Sequence, residues 1–91
     1  MEWKLFGHLR EVAGGGAVAV DPGTDPTVGT ALDALLDERP ALREEVLADG
    51  DLADHVRVLV DGEDPFATGE GLSTPVETDA ELALFPPVSG G

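Results

Sequence analysis

The chain is 91 residues long, with nineteen acidic side chains against five basic ones, a formal charge of −14, 42% hydrophobic residues and no cysteine. That length holds one module with a modest core, and that apolar share sets it apart from a disordered acidic segment. The lack of cysteine excludes disulfides, thiolate metal sites and iron–sulfur clusters, and the scarcity of cations leaves no basic patch for the phosphates of a nucleic acid or an anionic membrane.

No window approaches the roughly 18 consecutive apolar residues of a spanning helix, and Met1-Glu2-Trp3-Lys4 does not open a signal peptide, so a cytoplasmic location is expected. The acidity has two readings. One is a docking surface for a basic partner; the other is adaptation of the whole sequence to concentrated salt, which screens repulsion between carboxylates. The acids are scattered along the chain and Lys4 is the only lysine, which fits adaptation.

Trp3-Lys4-Leu5-Phe6 reads as a first strand with Trp3 and Leu5 on one face, and His8 to Val12 as a short helical turn broken at Gly14-Gly15-Gly16. Ala17 to Val20 is a second strand, ended by Asp21-Pro22-Gly23 and close enough to the first to be its antiparallel neighbour. Thr27 caps the main helix, in which Val28, Ala31, Leu32, Leu35 and Leu36 make one apolar stripe. Pro40 ends it, and Ala41 to Leu47 predicts a further helical stretch stopping at Asp49-Gly50. Val56, Val58 and Val60 belong to a third strand that turns at Asp61-Gly62. Its return arm is poor, since Phe66 is the only large apolar residue there and Phe66 to Thr78 is rich in glycine and proline. Glu81 to Phe85 is the last strand, stopped by two prolines that cannot donate to a ladder.

This order predicts an α+β fold of the β-grasp kind, a mixed four- or five-stranded sheet crossed by one main helix, with the first and last strands parallel in the middle. Residues 1–85 are expected to form the β-grasp domain and 86–91 a flexible diglycine tail. Six residues follow Phe85 and could reach about 20 Å beyond the sheet. Pro86 and Pro87 stiffen the base of this tail, and Ser89-Gly90-Gly91 leaves its tip slender. A terminal Gly-Gly can also be a frayed end. Attachment to a core strand through two prolines favours a presented terminus.

Other residues read as ordinary structure. His8 and His55 lack partners at metal-ligand spacing, and neither Asp54-His55 nor Ser73 nor Ser89 sits in a nucleophile motif. Gly14-Gly15-Gly16 lacks phosphate-loop spacing and reads as a tight connection between two strands. Asp49, Asp51 and Asp54 read as a solvated acidic loop, without a calcium loop's ligand set. Leu59, Phe66 and Phe85 cannot all face one core, so a surplus would form an exposed apolar patch near the tail, unless helix and loops cover it.

Leu5 to Gly14, Thr27 to Leu32, His55 to Gly62 and, above all, Leu84-Phe85-Pro86-Pro87-Val88-Ser89-Gly90-Gly91 resemble the ubiquitin-like sulfur carriers, a family that includes the small subunit of molybdopterin synthase and the small archaeal modifier proteins of halophilic archaea. The resemblance implies a carrier and substrate protein, not an enzyme. It binds no cofactor itself. Its C-terminal carboxylate, here that of Gly91, is adenylated by an E1-like enzyme using ATP and magnesium. The adenylate then becomes a thiocarboxylate for sulfur transfer, to molybdopterin or in tRNA thiolation, or is joined to target-protein lysines by an isopeptide bond. Gly90 provides clearance. Phe85, Pro86, Pro87 and Val88 correspond to the stretch that docks on the activating enzyme and on the large synthase subunit, and the free chain is expected to be a monomer. Lys4 is the one lysine that could accept a second copy, so single modification of targets is expected. The alternative, from another class, is a non-covalent β-grasp interaction module whose tail only docks.

Overall fold

The structure, a computed structural model, describes residues 1–53 and 55–86. Strand β1 (Glu2–Leu5) leads into helix α1 (His8–Ala13), strand β2 (Ala17–Ala19) and the main helix α2 (Val28–Glu38). A 3-10 turn at Pro40–Leu42 and helix α3 (Arg43–Val46) precede the short strands β3 (Leu47–Ala48) and β4 (Asp51–Leu52). Strand β5 (Arg57–Val60), helix α4 (Pro65–Thr68), a 3-10 turn at Gly71–Ser73 and strand β6 (Glu81–Phe85) complete the order.

The main sheet has four strands in the order β2-β1-β6-β5. β1 is antiparallel to β2 and parallel to β6, with Glu2, Trp3, Lys4 and Leu5 opposite Glu81, Leu82, Ala83 and Leu84. β6 is antiparallel to β5. Alternation along each strand sends Trp3, Leu5, Val18, Val58, Leu82 and Leu84 to one buried face.

α2 covers that face. Thr27 and Thr30 close a reciprocal capping box, the Thr27 hydroxyl accepting the Thr30 N–H at 3.2 Å and the Thr30 hydroxyl accepting the Thr27 N–H at 2.8 Å. All five residues of the apolar stripe, Val28, Ala31, Leu32, Leu35 and Leu36, are buried. Trp3 is the joint between layers: its ring is fully buried and its indole N–H donates to the Ala31 carbonyl at 2.9 Å. No polar or charged residue is buried among those described. Arg39, at the end of α2, donates through Nε to the Ala13 carbonyl at 3.0 Å and so ties the ends of the two helices together.

Three expectations are corrected. The stretch after Pro40 is helical only to Val46; Asp49-Gly50, with φ of 54° and 85°, is the turn of a two-residue hairpin between β3 and β4 rather than a helix stop in an acidic loop. Asp61-Gly62 has the same geometry, with φ of 49° and 86°, but no return strand follows. Glu63 pairs back onto Val60 through two hydrogen bonds of 2.7 and 2.9 Å, and Asp64 then caps α4 by accepting the Phe66 N–H, with Pro65 in the first helical turn. The segment Phe66 to Thr78 therefore carries helical turns and one isolated bridge, Thr27 to Pro75, and the sheet has four strands. Finally, Gly14-Gly15-Gly16 links α1 to β2 instead of joining two strands directly.

Replacing Trp3 with Ala should destabilise the chain by about 3–5 kcal/mol through cavity formation. Trp3→Phe should cost less, about 1–3 kcal/mol, part of it the lost bond to Ala31. Urea unfolding midpoints at unchanged slope would measure both.

Candidate functional site

Parallel pairing places the C-terminal ends of β1 and β6 side by side, so the chain after β6 leaves the sheet next to the loop after β1. Two contacts fix that point. Phe6, the residue after β1, stacks on Phe85 with ring centroids 4.5 Å apart and planes 7° from parallel, while its N–H donates to the Leu84 carbonyl at 3.3 Å. Gly7 lies beneath Pro86. Its φ of 59° with ψ of −141° suits glycine alone, and a Cβ there would come within 2.7 Å of Pro86 Cγ. The proline ring thus rests on a bare α-carbon, and the first step of the C-terminal segment is held against the sheet.

The uncovered sheet face is graded along its length. At one end Glu2 and Glu81 sit opposite one another; in the middle Ala17, Lys4, Ala83 and Leu59 form a row; at the exit Phe6 and Phe85 lie beside Arg57, which faces Phe85 across the β5–β6 ladder. Leu59, Phe85 and Pro86 also wall a recess of about 270 Å³, bordered by His55 and Arg57.

Of the apolar residues marked as surplus in the sequence, Leu59 and Phe85 meet here. Phe66 does not: it is half exposed on α4 and borders a second recess, which shares only His55 and Arg57 with the first. Phe6, 41% exposed, escaped the sequence reading. The signal was present, because alternation from Trp3 and Leu5 sends residue 6 outward and the parallel register sets it beside Phe85.

Phe85 and Pro86 are therefore placed at the exit, half-buried. Pro87, Val88, Gly90 and Gly91 lie outside the described residues, as does Asp54. The expected acceptor, Lys4, is exposed on the open face with Nζ 2.9 Å from Glu81 Oε1. The hydrogen bond that the ammonium donates to Glu81, reinforced by the carboxylate's charge, raises its pKa above the ordinary 10.5. His8 is bonded to Glu45 at 2.9 Å, joining α1 to α3 on the surface. Among the described residues no group of three or more histidines and carboxylates is placed to hold a metal.

Two outcomes follow for this corner. Gly7→Ala should destabilise by about 1–3 kcal/mol, and adding Pro86→Ala should recover the part due to collision while leaving the part due to positive φ, as a double-mutant cycle of unfolding free energies would show. For Lys4, a raised folded pKa means that the pair's contribution is fully present below 10.5 and fades as pH rises through the folded value. Glu81→Gln should therefore speed acylation of the Lys4 amine at alkaline pH below that value, scored by peptide mapping against the Met1 amine.

Residues 3–91 match the ThiS family. The chain is 54% identical over 92 residues to small archaeal modifier protein 1 of Haloferax volcanii, covering all of both proteins. A crystal structure of that protein superposes with a TM-score of 0.90 at 52% identity, over 100% of this chain and 98% of the other. The solution structure of small archaeal modifier protein 1 from Methanosarcina acetivorans gives 0.85 at 33% identity, over 99% and 94%. The four-stranded mixed sheet crossed by α2 is the β-grasp arrangement expected, and the chain belongs to the ThiS family of ubiquitin-like modifier and sulfur-carrier proteins.

Proposed function

We propose that the carboxylate of Gly91 is the reacting group of this carrier, and that the Phe6–Phe85 stack with Pro86 is the surface against which an activating enzyme seats the tail. The observation that carries the reading is the exit geometry: the central strand β6 delivers the chain at Pro86, packed on Gly7 beside an aromatic platform, with five residues remaining to a C-terminal Gly-Gly. About 17 Å of extended chain would let Gly91 enter a site remote from the platform. Glycine at 90 and 91 puts no side chain in the way of a narrow channel.

The chemistry needs no side chain of this protein. A carboxylate is a poor acyl donor; attack of its oxygen on the α-phosphorus of ATP, with magnesium held by the E1-like enzyme, gives the acyl adenylate and releases pyrophosphate. Hydrosulfide then attacks the acyl carbon, displaces AMP and loses its proton to leave a thiocarboxylate. Alternatively, a target lysine amine takes the acyl group as an amide, losing a proton, as the modifier name of the Haloferax relative suggests. The large subunit of molybdopterin synthase and enzymes of tRNA thiolation are the proposed sulfur recipients, in the cytoplasm, with target lysines the recipients in the modifier role. Among the described residues no helix is long and apolar enough to cross a membrane.

Deleting Gly90 and Gly91 separates this from a docking module. Incubation with the E1-like enzyme and ATP should release pyrophosphate with the full chain and none with the truncated one. Intact mass of protein isolated from its host should show one oxygen replaced by sulfur in a fraction of molecules. If truncation leaves conjugates and molybdenum-cofactor synthesis intact, the tail only docks.

A further inference from the structure

Arg57 occupies an unusual electrostatic position. It stands on the edge strand β5 at the exit end of the sheet, and its side chain is 65% exposed. Three of the other four cations have close partners, Lys4 in Glu81 at 2.9 Å, Arg43 in Asp37 at 3.0 Å, and Arg39 in the carbonyls of Ala13 and Glu38 at 3.0 and 2.9 Å, while Arg10 is exposed on α1. Arg57 is only loosely tethered. Its Nε is 3.9 Å from Asp64 Oδ2, beyond hydrogen-bond reach, and the other oxygen of Asp64 is occupied by the Phe66 N–H at 2.8 Å.

The recess beside it combines two chemistries. Leu59, Phe85 and Pro86 offer apolar walls, and the guanidinium offers a planar fork of donors at the rim. A short aliphatic stem ending in a carboxylate fits both. On a chain of charge −14, most of the surface repels such a group, so a cation beside the tail exit favours the approach of an acidic side chain there. Once a partner covers the recess, exclusion of water strengthens the pair beyond what an exposed ion pair gives.

We propose that this recess receives a glutamate or aspartate side chain of the enzyme that activates Gly91, Arg57 pairing with its carboxylate while Leu59, Phe85 and Pro86 cover its methylenes. This rests on the carrier reading above. The pair sets the orientation in which the carrier seats, so that the tail enters the active site from one side only.

Steady-state adenylation by the chain's own E1-like enzyme, followed by pyrophosphate release with the full-length carrier as varied substrate, tests it. Arg57→Glu should raise KM about tenfold with kcat unchanged, Arg57→Lys should recover part of the loss, and the Arg57→Glu variant should show a flatter dependence of KM on salt. Arg43→Glu changes net charge equally at another exposed arginine and should leave KM within about twofold, so net charge and local pairing are separated. A wild-type KM for Arg57→Glu, or an equal rise for Arg43→Glu, overturns the recess while leaving the carrier intact. No adenylation of the wild-type chain overturns the carrier reading itself, and this inference with it.

Discussion

The parallel ladder between β1 and β6 is the constraint on which the rest of the molecule depends. It joins the two ends of the sequence in the centre of the sheet, Glu2–Leu5 against Glu81–Leu84, and so fixes which residues can share a corner. Phe6 reaches Phe85 and Gly7 reaches Pro86 because both strands finish together on the same side. An antiparallel pairing would have put the start of one strand beside the end of the other, and the platform at the exit would not exist. Closing such a long loop is entropically expensive. The buried stripe of α2, with Trp3 hydrogen-bonded to Ala31, offsets that expense by covering the paired strands.

Division of labour between interior and surface is unusually clear. Nothing polar is buried among the described residues, so no internal ionisable group competes with packing. Their charged side chains lie outside, and the open sheet face grades from carboxylates at Glu2 and Glu81 to aromatics and a guanidinium at Phe6, Phe85 and Arg57. A graded face discriminates between the two ways in which a partner could be laid across it, which an evenly acidic surface would not.

Much of this was legible in the sequence because it rests on local periodicity. The helix stripe from Val28 to Leu36, the Thr27 cap and the strand alternation at Trp3 and Leu5 each follow from spacing alone, and all are in place. What escaped depended on competition between equally local signals. Asp49-Gly50 carries the same hairpin signature as Asp61-Gly62, yet the helical pattern before it dominated the reading. After Asp61-Gly62 the hairpin signal was right for the turn and wrong for the return arm, because Asp64-Pro65 is itself a helix start and captures the chain within three residues. At the exit, Phe85 and Pro86 were readable from their place at the end of a strand, whereas Phe6, Gly7 and Arg57 acquire meaning only from register, which no single stretch of sequence encodes.

The same register has a mechanical consequence. Met1 and the segment after Phe85 lie at opposite ends of two adjacent parallel strands, so tension applied between the N-terminus and Gly91 acts along the strands and loads the ladder in shear. Bonds spanning Glu2–Leu5 and Glu81–Leu84 then share the force and must fail together, whereas strands peeled from one end would lose them singly. A chain pulled between its two ends is therefore a stiff handle: the load meets the centre of the sheet first, before any edge strand gives way.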